Sequence, residues 1–157
     1  MKRLSFLVLV FSLFLGGFSA KSQSKADKIC GIYYATEPTS GEASQVLIYK
    51  TADGKYEGKV LWMQHHNRPD GTPLRDARNP DKSKRDQTCV GMVIIKDFVY
   101  NEKDEEWQGS VYNPGNGSTY RSYMRLEAGG TLLKVRGYLG ISLLGKTVVW
   151  KRETERR

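Results

Sequence analysis

Histidine, cysteine and proline are scarce: the 157 residues include 2 His, 2 Cys and 5 Pro. Two cysteines cannot supply the bridge framework of a small disulfide scaffold. So little proline excludes a fibrous or proline-rich chain. Two histidines leave little for a metal centre or a general base. No amphipathic helix of useful length appears, and basic residues never run beyond pairs such as Lys151-Arg152 or Arg156-Arg157. Disorder is excluded by what is present, because 39% hydrophobic and 11% aromatic residues suffice to bury a core. The length fits one domain of about 100–200 residues.

Long apolar runs are absent except at the start. Met1-Lys2-Arg3 leads into Leu, Val, Phe and Gly almost unbroken from 4 to 18, followed by small residues at Ser19, Ala20 and Ser22. A basic start, an apolar stretch of about 7–15 residues and a small-residue cleavage zone form a secretory signal peptide. A membrane-spanning helix needs about 20 apolar residues, more than this run offers. The expected division is a signal peptide over 1–20, a linker over 21–28, the folded domain over 29–152 and a basic tail over 153–157. No cysteine follows the apolar run closely enough to carry a lipid anchor. Cleavage removes Lys2 and Arg3, which lowers the formal net charge of +8 by two. In an exported protein the remaining basic surface is either simply solvated or meets lipid headgroups and envelope polymers. Peripheral contact with a membrane surface is therefore among the expected partners, and nucleic acid is not.

Beyond the start, short β-like runs alternate with turn signals. Eight are legible, at 29–36, 44–51, 55–63, 89–100, 106–113, 118–127, 131–138 and 146–152. Asp53-Gly54, Pro114-Gly115-Asn116-Gly117 and Ala128-Gly129-Gly130 mark tight turns. Tyr120, Ser122, Met124 and Leu126 alternate with Arg121, Tyr123, Arg125 and Glu127, the period of two of a half-buried antiparallel strand. An even number of consecutive antiparallel strands can close on itself, so the expected fold is all-β: an eight-stranded antiparallel up-and-down barrel, with a sandwich as the alternative. The connections 37–43, 64–88, 114–117 and 139–145 then share one end, and short turns close the other. The segment 64–88 is long enough to be either functional or disordered. Core candidates are Trp62, Trp107, Tyr120, Met124 and Trp150.

The second half carries long ordered strings: Trp107-Gln108-Gly109-Ser110-Val111-Tyr112-Asn113-Pro114, then Gly117-Ser118-Thr119-Tyr120, then Arg136-Gly137-Tyr138-Leu139-Gly140, ending at Trp150. With Gly58-Lys59-Val60-Leu61-Trp62 and Asp76-Ala77-Arg78-Asn79-Pro80-Asp81 upstream, the chain resembles the bacterial secreted domain-of-unknown-function family 2147 from about 29 to 152. That resemblance implies an exported lipocalin-like barrel without established activity or cofactor. Lipocalins stack a Gly-x-Trp tryptophan on a basic residue of the last strand. Here Gly31-Ile32-Tyr33 has Tyr instead, with Arg152 as the candidate partner.

Catalytic motifs are weak. The string from Gly140 to Thr147 fits G-x-x-x-x-G-K-T, but it leads into Val148-Val149-Trp150, a strand, where a phosphate-binding loop opens a helix. His65 and His66 lack further metal ligands at workable spacing. No Gly-x-Ser-x-Gly elbow accompanies them. Cys30 and Cys89 start strands of opposite direction, which places them at opposite ends of a barrel and argues against a bond. No enzyme, metal or cofactor is therefore expected. Asp76, Asn79, Asp81 and Arg85, with Arg136 and Tyr138, form either a latch for the long loop or a ligand mouth. Ile141, Leu143 and Leu144 are either a plug or an apolar lip. Two functions remain: a barrel holding one small apolar or amphiphilic ligand at its open end, or a packed, ligand-free barrel acting through its surface in the envelope. A monomer is expected in both cases. N-terminal sequencing of the protein recovered from its envelope is expected to begin between Ser19 and Ala26; a chain still starting at Met1 would contradict export.

Overall fold

A computed structural model describes residues 24–140 and 144–157. The candidate signal peptide and the lip residues Ile141 and Leu143 lie outside the described residues. The alternating runs form eight strands: β1 (Gly31–Thr36), β2 (Ala43–Lys50), β3 (Tyr56–Met63), β4 (Val93–Asn101), β5 (Glu106–Asn113), β6 (Ser118–Glu127), β7 (Leu132–Tyr138) and β8 (Gly145–Glu153). Each pairs antiparallel with the next, and β8 returns to β1 with Tyr33 opposite Arg152. The sheet is a closed barrel, as expected, and not a sandwich. Lys146 and Thr147 lie within β8, so the phosphate-loop string enters a strand.

Two boundaries differ from the expected ones by two residues or more, each for a local reason. Residues 89–92 make a turn, Met92 N donating to the Cys89 carbonyl at 3.3 Å, and β4 starts only after it. At the other end Ala26–Ile29 is a short 3-10 helix, not a linker leading into a strand. It lies under the barrel because Ile29 is fully buried in the core. The Trp107 indole N–H also donates to the Ala26 carbonyl at 3.1 Å.

Inward-facing side chains fill the barrel near that end. Tyr33, Val46, Ile48, Ile95, Phe98, Trp107, Met124, Leu133 and Trp150 belong to one buried cluster. Each large apolar side chain contributes roughly 1.5–3 kcal/mol on burial. Two core candidates lie elsewhere. In β3 the register shifts so that Val46 faces Val60 but Gln45 faces Trp62, leaving Leu61 as the extra residue of a bulge. The shift turns Trp62 to the outer wall, where the Arg157 guanidinium lies over both Tyr34 and Trp62, 4.9 and 5.7 Å from the ring centres. Tyr120 faces inward but sits nearer the mouth and stays half-buried.

The closed end depends on Arg152. Its guanidinium stacks 4.8 Å from the centre of the Tyr33 ring. It donates to the carbonyls of Gly130, Cys30 and Lys28 at 2.7, 2.8 and 2.6 Å. One side chain thereby ties the β6–β7 turn, the N-terminal segment and β1 together. Burial raises the Tyr33 hydroxyl to about 12, and it donates to the Ile29 carbonyl at 2.8 Å. Gly31 adopts φ +150°, and a Cβ there would lie 2.4 Å from Arg152 Nη1. Only glycine lets the guanidinium pass. Gly31→Ala and Arg152→Met are each expected to lower unfolding stability by about 2–4 kcal/mol in denaturant titration. Losses below about 1 kcal/mol would show that the floor does not rest on this contact.

Candidate functional site

The open end differs from the floor in its lining. Gly109, Ser122 and Gly137 are cross-strand neighbours on β5, β6 and β7, and Gly137 faces Lys146 on β8. Ser122 is 2% exposed, and its hydroxyl is a buried side-chain polar group without a hydrogen-bond partner among the described residues. Glycines on both sides leave no side chain beside it on the neighbouring strands. Phe98 occupies the space that a Cβ at Gly109 would take, 2.5 Å from the nearest ring carbon. Val111, Val148 and Tyr120 line the same half and are half-buried. Lys146 stands exposed at the rim, its ammonium donating to Thr39 Oγ1 at 3.2 Å. The inner wall therefore changes from apolar and full at the floor to small, partly polar and cationic at the rim.

The long connection between β3 and β4 is an ordered arm. Its backbone pairs with itself through Leu74 N to His66 O at 2.8 Å, Asp76 N to Gln87 O at 3.0 Å and Cys89 N to Leu74 O at 2.9 Å. It packs on the outer wall, where Cys89, Met92 and Tyr112 form a second buried cluster with Met63, Leu74 and Ile94 against it. Tyr112 lies on the outward face of β5 yet is 7% exposed, because the arm covers it. Its hydroxyl reaches the Asp76 carboxylate at 2.7 and 2.9 Å. Asp76 is fully buried, and its second oxygen accepts from Asn79 Nδ2 at 2.6 Å. Burial, followed by the Asp76 carboxylate, raises the Tyr112 hydroxyl to about 12. The arm also touches the β5–β6 turn, where Arg78 Nη1 donates to the Gly115 carbonyl at 2.6 Å. Gly117 is required at that crossing, with φ +73° and the Arg78 carbonyl 2.0 Å from where a Cβ would sit. Between arm and wall lies a cleft of about 380 Å³ lined by Asp76, Asn79, Asp81, Lys84, Lys96 and Tyr112, among others.

A family model, described as an uncharacterized protein conserved in bacteria (DUF2147), matches residues 31–152. The chain belongs to this family. A solved structure similar to it is protein HP1028 from the human pathogen Helicobacter pylori, described as belonging to the lipocalin family. The two share 25% identity over 81% of this chain and 84% of that one, with a TM-score of 0.68. No curated protein matches the chain. The DUF2147 chain thus has a lipocalin-like barrel.

Of the residues singled out in the DUF2147 sequence, four meet in the arm. Asn79 joins Asp76; Asp81 N donates to Asn79 Oδ1 at 2.9 Å, and Arg85 Nε donates to the Asn79 carbonyl at 2.8 Å. Asp81 also caps the 3-10 turn Lys82–Lys84 through Ser83 N at 3.0 Å. Arg136 and Tyr138 are on the outer face of β7, Arg136 donating to Thr147 Oγ1 at 2.8 Å. Leu144 is 76% exposed at the rim. His65 binds Glu42 through Nδ1 at 2.7 Å, and Cys30 and Cys89 are free thiols. Sequence reasoning missed Tyr112, although a tyrosine on the polar-alternating face of β5 was a legible signal that something covers that face. It also missed Ser122 as a lining residue, treating it only as a member of the apolar face.

Tyr112→Phe leaves the buried Asp76 carboxylate one donor short, which is expected to cost about 1–3 kcal/mol and to speed amide exchange in the arm. The pH dependence has a definite sign. A hydroxyl raised from 10.0 to about 12 contributes stability that is fully present below pH 10.0 and is lost as pH rises through about 12. The stability gap between wild type and Tyr112→Phe is thus expected to stay constant below pH 10.0 and to shrink toward pH 12. An unchanging gap across that range would contradict the hydrogen bond.

Proposed function

We propose that this protein is an exported carrier that takes one small amphiphile into the open end of its barrel. The observation that carries the reading is the inward row Gly109–Ser122–Gly137–Lys146, in which the Ser122 hydroxyl is buried without a partner. A buried hydroxyl without a hydrogen bond costs about 1–3 kcal/mol, a cost that a ligand acceptor removes. An eight-stranded barrel is about wide enough for one small ligand. Val111, Val148 and Tyr120 offer apolar surface beside the row. Lys146, which makes no ion pair among the described residues, offers a cation at the rim. The matching ligand has a short apolar body and an anionic or hydrogen-bond-accepting head. Export by cleavage near Ala20 supports an envelope setting for such a carrier. The lipocalin family of the similar Helicobacter pylori protein supports the same class of function by analogy of fold.

Native mass spectrometry of protein isolated from its own envelope tests the reading directly, with retained small-molecule mass as the expected result. In lipid-free buffer a fluorescent fatty acid is expected to bind wild type. Ser122→Leu fills the row and is expected to weaken that binding at least about tenfold, with a stability change of about 1–3 kcal/mol from overpacking. Equal probe binding by both proteins would place the ligand elsewhere. No binding by either would favour the packed, ligand-free barrel.

A further inference from the structure

Residues 154–157 leave β8 and cross the outer wall, where Tyr34, Gln45 and Trp62 stand side by side on β1, β2 and β3. In the strand register Gln45 is opposite both rings. It is a polar side chain on the outward face of the sheet, yet it is fully buried. Its amide holds the backbone of the crossing segment. Nε2 donates to the Glu155 carbonyl at 2.9 Å, and Oε1 accepts from Arg157 N at 2.8 Å. Nε2 also donates to Glu153 Oε2. The Arg157 guanidinium lies over the Tyr34 and Trp62 rings, and its Nη2 donates to Glu153 Oε1 at 2.7 Å. Two ring faces, one carboxylate and one buried amide thus enclose a single arginine and the backbone that leads to it.

We infer that this row is a recognition site for an extended, arginine-bearing peptide segment, and that residues 154–157 occupy it as a ligand carried in the same chain. Peptide recognition combines main-chain hydrogen bonds, which accept any sequence, with a pocket that selects one side chain. Gln45 supplies the first, and Tyr34, Trp62 and Glu153 supply the second. The barrel closes without the segment, because β8 already pairs with β1 and β7 before it begins. Thr154, Glu155 and Arg156 are exposed, and Arg156 adds only a contact with the Leu61 carbonyl at 3.4 Å. What the row holds is therefore backbone and one guanidinium, a combination that any extended arginine segment presents. Arginine suits it better than lysine, because a planar guanidinium stacks on a ring while its edge donates to a carboxylate. Tethering gives the resident segment an effective concentration of about millimolar, so an incoming segment binds only by displacing it. The site is masked in the free protein and opens by exchange. It lies on the outer wall, away from the mouth, and does not depend on the carrier reading.

The test is fluorescence anisotropy of a labelled Glu-Arg-Arg-amide peptide titrated with the full chain. Wild type is expected to bind it weakly, because its own segment fills the row. Arg157→Ala removes the resident guanidinium, whose side chain is 50% exposed, so the melting temperature is expected to change little. This variant is expected to bind the peptide at least about tenfold more tightly than wild type, the order of one ring-stacked guanidinium. Arg157→Lys keeps the charge and the fold while weakening the stack, and is expected to fall between the two. The same peptide with lysines for arginines is expected to bind Arg157→Ala at least about fivefold more weakly. Adding Trp62→Ala to Arg157→Ala is expected to return binding to the wild-type level. Binding by Arg157→Ala no tighter than by wild type overturns the proposal, as does equal binding of the arginine and lysine peptides. Binding that is indifferent to Trp62 does the same. A wild-type dimer in sedimentation that Arg157→Ala dissociates would make the occupant a second copy, and overturns it too.

Discussion

The barrel is held shut by one guanidinium. A sheet that closes on itself must bring its first and last strands together, and here that seam is short, with three opposed pairs between β1 and β8. Arg152 strengthens the seam from inside, by stacking on Tyr33 and donating to three carbonyls of the floor. The glycine at Gly31 makes room for it, and the 3-10 helix beneath is pinned by the same group through the Lys28 and Cys30 carbonyls. Because the charge is satisfied by three carbonyl dipoles and a ring face, it carries little of the desolvation penalty of an unpaired buried cation.

Closing one end this firmly gives the molecule its polarity. Aromatic rings from β1, β4, β5 and β8 occupy the floor half, and the small residues of β5, β6 and β7 occupy the other. The long arm does not cover the mouth, although its length and position had left that open. It is drawn to the outer wall, where Tyr112 supplies both an apolar ring for Cys89 and Met92 and a hydroxyl for Asp76. The polar set Asp76, Asn79, Asp81 and Arg85 thus holds the arm in shape on the outer wall, and Leu144 stands exposed at the rim.

Much of this was legible in the amino-acid order, for reasons that are local. Strand period and turn chemistry act over a few residues, so β5 and β6 fall where alternation and the Asn-Pro-Gly-Asn-Gly turn put them. The parity of eight consecutive strands fixed which connections share an end. The pairing of Tyr33 with Arg152 was anticipated from the resemblance to lipocalins, because the positions in that pattern lie at the two ends of the domain. Trp62 was misjudged as core because one extra residue in β3 reverses every side chain beyond it, and a bulge leaves no mark in composition.

What the sequence alone determined is therefore the set of strands and their antiparallel order, since these follow from short-range periodicity and turn chemistry; an even count permits closure, and the structure decided it against a sandwich. Only the tertiary structure decided which outward residues are buried, as Tyr112 is, and which inward residue lacks a partner, as Ser122 does. Burial and hydrogen bonding of those two depend on groups brought in from elsewhere in the chain: Asp76 lies 36 positions before Tyr112, and the glycines beside Ser122 belong to separate strands. No local signal encodes a contact whose two halves meet only after the sheet has closed.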